Sequence, residues 1–62
     1  MRTLTFVFLN GEGAVTDRRE NIQVENMKAA HDYAHTSFEE DETLMEAVVY
    51  EGKDFVAKFC MQ

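Results

Sequence analysis

Residues 43–61 read TLMEAVVYEGKDFVAKFCM, and this stretch decides the predicted fold. Two runs rich in β-branched and aromatic residues, 43–50 and 55–61, lie on either side of the tetrapeptide Glu-Gly-Lys-Asp at 51–54. Runs of this composition are typical of strands, and a short connection that contains glycine is typical of a tight turn. The stretch therefore predicts an antiparallel β-hairpin.

Alternation of side chains along the two strands predicts which residues share a face of the sheet. One group consists of Leu44, Glu46, Val48, Tyr50, Phe55, Ala57, Phe59 and Met61. The other group consists of Met45, Ala47, Val49, Val56, Lys58 and Cys60. Because the first group holds the aromatic residues, we expect it to lie under a helix. Glu46 then requires an edge position or a cationic partner, and without either the assignment of the two faces is inverted.

The sequence before this hairpin predicts a second pair of strands. Residues 2–9 (RTLTFVFL) have the composition of a strand, and its two phenylalanines are expected to face the helix. Asn10-Gly11 follows, and this pair favours a turn because both residues tolerate positive φ. The returning strand is expected within residues 14–24, with a bulge or a long loop in the polar stretch 16–20.

Residues 26–38 predict a single helix. Asn26 is a suitable N-cap, since its side chain can accept a hydrogen bond from a free backbone N–H. An apolar stripe follows at helical spacing, formed by Met27, Ala30, Ala34 and Phe38. The helix is expected to end near Phe38. The order β-β-α-β-β predicts one α+β domain over residues 1–62, a small antiparallel sheet with a single helix packed on one face.

Composition restricts the function. The 62 residues contain 12 Asp and Glu against 6 Lys and Arg, so the formal net charge is -6 at pH 7. Direct binding of nucleic acid through its phosphates is not expected, because the net negative charge of the chain repels them. The apolar run 4–9 is too short for a membrane span or for the core of a signal peptide. The one cysteine, Cys60, excludes an internal disulfide and fits a reducing compartment, so we expect a cytoplasmic protein.

A single helix can cover only one face of a four-stranded sheet, yet both predicted faces are apolar. Val7 and Leu9 join the second group on this face, and the apolar contact is expected to be made by Val7, Met45, Val49, Val56 and Cys60. Covering it removes roughly several hundred Å² from water, which at about 25 cal/mol per Å² is worth several kcal/mol before association costs. We therefore expect a homodimer through this face. The alternative is docking of a different protein.

Four consecutive acidic residues follow the predicted helix: Glu39, Glu40, Asp41 and Glu42. An exposed anion at a helix C-terminus costs roughly 0.3–1 kcal/mol, because the backbone dipole there is already negative. One interpretation is a solvated loop after a helix that ends early. The other is an anionic patch for a basic protein partner. In its sharpest form the patch imitates a row of phosphates and inhibits a nucleic-acid-binding enzyme, as small acidic proteins of phages and mobile elements do.

His31 and His35 lie four residues apart on the predicted helix, so both can reach one metal ion. Glu39 lies one turn further and is the third ligand in this hypothesis. Asp32 stands where the zinc-protease pattern requires the glutamate that acts as general base, so catalytic zinc is not expected. The alternative is a packed His31 and a solvated His35.

No motif indicates an enzyme or a cofactor. Gly11 and Gly13 precede a predicted strand, not a helix, and so they form no phosphate cradle. We therefore expect a non-enzymatic protein-interaction module without a cofactor. The alternatives are a homo-oligomeric structural subunit and a small metal- or ligand-binding module that uses His31 and His35.

Overall fold

The computed structural model describes residues 1–61, and its elements follow the predicted order β-β-α-β-β. They are β1 (Arg2–Leu9), β2 (Val15–Val24), α1 (Met27–Glu40), β3 (Glu46–Glu51) and β4 (Asp54–Cys60). The strands form one sheet in the order β2-β1-β3-β4, and every neighbouring pair is antiparallel. The predicted small α+β fold is confirmed.

The turn between β1 and β2 is held by the side chain of Asn10. Its Oδ1 accepts hydrogen bonds from the backbone N–H groups of Glu12 at 2.9 Å and Ala14 at 3.0 Å. Gly13 has φ 82°, a conformation that L side chains rarely adopt. The turn lies where it was predicted, but the positive φ expected at Asn10 and Gly11 occurs at Gly13 instead.

β2 is irregular where its sequence is polar. Its pairing with β1 shifts register twice, between Leu4 and Phe6 and between Phe8 and Leu9. Asn21 adopts φ 60° beside the first shift, in the left-handed region that asparagine tolerates better than most residues. The expected interruption of the strand is thus confirmed as two bulges, not as a long loop.

α1 begins at an asparagine cap and packs on one face of the sheet. Asn26 Oδ1 accepts a hydrogen bond from the backbone N–H of Ala29 at 2.9 Å. Ala30 and Ala34 are fully buried, and their small side chains let the helix approach the sheet closely. The buried core consists of Leu4, Phe6, Phe8, Val24, Ala30, Ala34, Phe38, Leu44, Ala47 and Val49. The helix continues to Glu40, two residues beyond the predicted end.

The predicted assignment of faces on β3 is wrong. Ala47 and Val49 are fully buried and pair with Phe8 and Phe6 of β1. Glu46, Val48 and Tyr50 therefore face the side of the sheet away from the helix. Volume and charge explain the inversion. The two phenylalanines of β1 fill the space under α1, small residues fit beside them, and the Glu46 carboxylate stays in contact with water.

The predicted grouping across the last hairpin is also wrong, because β4 contains a bulge. Val49 pairs with Ala57 but Tyr50 pairs with Phe55, so Val56 is an extra residue on β4. One added residue reverses the faces of all residues on one side of it. Ala57 and Phe59 consequently lie with the buried residues of β3, whereas Phe55 lies beside Tyr50 on the opposite face.

Candidate interaction surfaces

The side of the sheet that α1 leaves uncovered is here called the open face. Its outward residues include Thr3, Thr5, Val7 and Leu9 of β1, Val15, Arg18 and Gln23 of β2, Glu46, Val48 and Tyr50 of β3, and Phe55, Lys58 and Cys60 of β4. Val7 stands at its centre, paired with Arg18 on one side and Val48 on the other. Val15 is 61% exposed and Phe55 is 60% exposed. The open face thus presents a mixture of apolar and polar side chains to solvent.

The structure places two of the five predicted contact residues, Val7 and Cys60, on the open face. Val49 does not belong there, because it is fully buried under the helix. Val56 sits at the bulge and packs against the core. Met45 precedes β3; its side chain lies beside Gly11, and its N–H donates to the carbonyl oxygen of Leu9 at 2.8 Å. The alternation of Glu46 with apolar residues was the sequence signal for the correct face.

Charges on the open face are paired. Lys58 Nζ lies 2.8 Å from Glu46 Oε2, and this hydrogen bond raises the pKa of the Lys58 ammonium. Glu46 thus has a cationic partner although it lies on the open face, so the presence of a partner did not indicate the correct face. Arg18 Nε lies 2.9 Å from Glu20 Oε2 on the edge strand. Positive and negative charges balance within this surface, although the whole chain is strongly acidic.

A depression of about 350 Å³ lies on the open face near the last hairpin. Its lining residues are Thr5, Val7, Arg18, Tyr50, Gly52 and Lys53. Two cations and two hydroxyl groups lie around Val7, and the surface of the depression is more polar than apolar. Because the open face is concave at this point, a protruding side chain of a partner can fit into it.

The acidic run lies on the helical side of the molecule. Glu39 and Glu40 form the last turn of α1, Asp41 is its C-cap, and all four residues through Glu42 are exposed. Asp41 has a structural role, since its Oδ1 accepts bonds from Thr43 N at 3.0 Å and Thr43 Oγ1 at 2.7 Å. These bonds lower the pKa of the Asp41 carboxyl. The prediction of a loop after an early helix end is wrong for Glu39 and Glu40.

The two histidines lie side by side on α1, with ring centroids 4.2 Å apart. His31 packs edge-to-face against Phe59 at 5.3 Å, and His35 packs against Phe38 at 5.2 Å. His35 is the more buried of the two, which is the reverse of the expectation of a packed His31 and a solvated His35. Within residues 1–61 no three His, Cys, Asp or Glu residues are placed to hold a metal ion together. Glu39 is therefore not a third ligand in this arrangement.

A hydrogen-bond network around Arg19, at the β2 edge of the sheet, was not predicted from the sequence. Arg19 Nη1 donates to Tyr33 Oη at 3.1 Å and to Ser37 Oγ at 2.9 Å, while Nε donates to Asp17 at 2.8 Å. The hydrogen bond with Tyr33 is the main cause of a raised pKa of the guanidinium. The adjacent Arg18 pairs with Glu20, so the two neighbouring arginines are balanced by the carboxylates of Asp17 and Glu20.

Comparisons of the chain with protein-family models, with curated protein sequences and with solved structures found no match. In the described part of the chain, no helix has both the length and the apolar character that a membrane crossing requires. The fold and the surfaces thus define a small acidic α+β protein with one uncovered sheet face.

Proposed function

We propose that this protein is a non-enzymatic interaction module that forms a homodimer through the open face and presents its acidic run to a basic protein partner. The observation that carries the proposal is the open face itself. Val7, Leu9, Val48 and Tyr50 are only half-buried there, and no element of the described chain covers them.

Burial of the open face offers a stabilisation comparable with that of the fold. Covering roughly several hundred Å² of apolar surface is worth several kcal/mol at about 25 cal/mol per Å², before association costs. A core of this size supplies only about 3–5 kcal/mol of net stability. A domain of 62 residues therefore gains much from a partner on this surface.

Charge favours a second copy as the occupant of the open face. The ion pairs Lys58–Glu46 and Arg18–Glu20 leave this surface balanced, so two open faces can meet without a local excess of negative charge. The acidic run lies on the helical side and would remain on the outside of such a dimer. Each copy still carries a net charge of -6, so long-range repulsion weakens the dimer at low salt.

Sedimentation velocity of the full chain tests the dimer. We expect a reversible dimer that becomes more stable between 50 and 500 mM salt, about the range over which surface charges become screened. Phe55→Asp adds a negative charge to the open face and should shift the chain to monomer. Thr36→Asp adds the same charge to an exposed position of α1 and should leave the dimer intact. A wild-type chain that stays monomeric up to high concentration would refute the proposal.

Charge reversal tests the acidic run. Replacement of Glu39, Glu40 and Glu42 by lysine retains Asp41, whose carboxylate holds the turn to Thr43. Replacement of Glu12, Glu25 and Asp54 by lysine is the control, since it changes the net charge equally at exposed sites elsewhere. Binding to a labelled polyarginine peptide, followed by fluorescence anisotropy, should fall with salt and fall more in the first variant. Equal losses of peptide binding in both variants would mean that the acidic run is not a distinct binding site for a basic partner.

The inhibitor form of the proposal has its own test. A charge mimic of nucleic acid competes with DNA or RNA for a basic groove, so its effect weakens as nucleic acid or salt is added. Inhibition of a nucleic-acid-binding enzyme that is lost on reversal of Glu39, Glu40 and Glu42 would support it. Inhibition that is indifferent to salt and to this reversal would exclude charge mimicry.

A further inference from the structure

We infer that His31 and His35 form a two-histidine chelate for one divalent transition-metal ion of the Cu²⁺, Ni²⁺ and Zn²⁺ group. The two residues are four positions apart on α1, and this spacing places their side chains one above the other on the same helical face. Their ring centroids are 4.2 Å apart and the ring planes differ by 34°.

The separation of the rings suits a shared ion. Imidazole nitrogens bind such ions at about 2.0–2.1 Å, so two nitrogens on one ion lie roughly 3 Å from each other. Neighbouring rings with centroids at 4.2 Å reach this spacing through small rotations of the side chains. No change in the backbone of α1 is needed.

Packing holds both rings near the binding arrangement. The ring of His31 meets Phe59 of β4 edge-to-face, and the ring of His35 meets Phe38 in the same way. Side chains that are already restricted lose less entropy when an ion binds, which favours affinity. The side chain of His31 is still 52% exposed, so an ion and its water ligands have access from solvent.

A neighbouring carboxylate supports the chelate. Asp32 Oδ1 lies 3.7 Å from His31 Nδ1 and can accept a hydrogen bond from this nitrogen after a small rotation. Carboxylates in this position orient a metal-binding imidazole and make it more basic, with Nε2 left to bind the ion. The negative charge of Asp32 also favours a nearby cation, although Lys28 lies 3.6 Å from its other oxygen.

The ligand set determines which ions bind. Two imidazoles select Cu²⁺, Ni²⁺ and Zn²⁺ over Mg²⁺ and Ca²⁺, which require oxygen ligands. Since no three His, Cys, Asp or Glu side chains within residues 1–61 are placed to bind one ion together, water completes the coordination. The expected order of affinity is Cu²⁺ above Ni²⁺ and Ni²⁺ above Zn²⁺ or close to it.

Calorimetric titration of the full chain with nickel chloride tests the inference. We expect one ion per chain and no saturable heat with magnesium chloride. His31→Gln and His35→Gln should each weaken Ni²⁺ binding about tenfold or more, because one imidazole cannot chelate. The same titrations in a Cys60→Ser background remove any contribution of the exposed thiol.

A spacing variant is the matched control. His35→Gln combined with Thr36→His keeps two histidines on exposed helix positions but separates them by five residues, roughly 140° around the helix axis. It should bind Ni²⁺ no better than a single-histidine variant. Nickel should also raise the thermal midpoint of the wild-type chain but not that of the spacing variant, since the ion binds the folded helix.

Three outcomes would overturn the inference. They are the absence of saturable Ni²⁺ binding to the wild-type chain, equal binding to the spacing variant, and a loss in Glu39→Gln as large as that in His35→Gln. The last result would show that Glu39 is a ligand and that the site is not a two-histidine chelate.

Discussion

Arg19 Nη1 donates a hydrogen bond to Ser37 Oγ over 2.9 Å, and this contact joins the edge strand β2 to α1. Ser37 is 2% exposed, and its hydroxyl donates in turn to the carbonyl oxygen of Tyr33 at 3.0 Å. The guanidinium lies over the ring of Phe8, 4.9 Å from its centroid. These contacts close the core along the edge where β2 is most irregular.

Loss of Arg19 should therefore destabilise the fold. Arg19→Ala removes charge-assisted hydrogen bonds and a cation–π contact, and it leaves Ser37 with fewer partners. We expect a loss of about 1–3 kcal/mol in the free energy of unfolding, measured by urea denaturation followed by circular dichroism.

The neighbouring arginine is the matched control. Arg18 is 62% exposed and pairs with the exposed Glu20, an interaction worth about 0–1 kcal/mol. Arg18→Ala should thus cost clearly less than Arg19→Ala. Equal losses would show that the contacts of Arg19 with the helix contribute nothing beyond a surface ion pair.

The two arginines also differ in how far their contacts can be predicted from the sequence. The ion pairs of Arg19 with Asp17 and of Arg18 with Glu20 are local, because alternate residues of a strand share a face. The contacts of Arg19 with Tyr33 and Ser37 depend on the two bulges of β2 and on the position of α1. No local sequence pattern encodes these contacts, because they join residues that are 14 and 18 positions apart in the chain.

Val49 and Val48 provide a direct test of the corrected faces of β3. Val49 is fully buried beside Phe6, whereas Val48 lies half-buried on the open face beside Val7. Val49→Ala should cost about 2 kcal/mol, since it removes two methyl groups and leaves a cavity. Val48→Ala should cost less than about 1 kcal/mol at concentrations where the chain is monomeric.

Urea denaturation of both variants distinguishes the two arrangements. The assignment of faces that was expected from the sequence, with Val48 under the helix, predicts the opposite order of stabilities. A larger loss in Val48→Ala would therefore restore it.

The fold itself was predictable because each element has a local signal. The cap at Asn26, the turn at Asn10 and the composition of the strands are all short-range features. The faces of the last hairpin were not predictable in the same way. Strict alternation was assumed, and the single extra residue at Val56 broke it. Only Glu46 carried the contrary signal, because a carboxylate among apolar neighbours marks a solvent-facing set.

Asn21 should be sensitive to the shape of its side chain. Its φ of 60° suits glycine and is tolerated by asparagine, but it is strained for a β-branched residue. Asn21→Val should destabilise the fold by about 1–2 kcal/mol, whereas Asn21→Gly should stay within about 0.5 kcal/mol of the wild type. Thermal unfolding of the three chains measures this, and an Asn21→Val variant as stable as Asn21→Gly would contradict the positive φ.

Glu51 should make part of the stability dependent on pH. Arg2 donates two hydrogen bonds to its carboxylate, at 2.8 and 3.1 Å, and these bonds lower the pKa of Glu51 from its ordinary value of 4.5. A lowered pKa in the folded state means that the stabilisation is fully present above pH 4.5 and is lost as the pH falls through the lowered value. The thermal midpoint of Glu51→Gln should therefore lie below that of the wild type at neutral pH, and the gap should narrow in acid. In an Arg2→Gln background the same substitution should give no gap that depends on pH. A gap that persists there would assign the effect to a group other than Arg2.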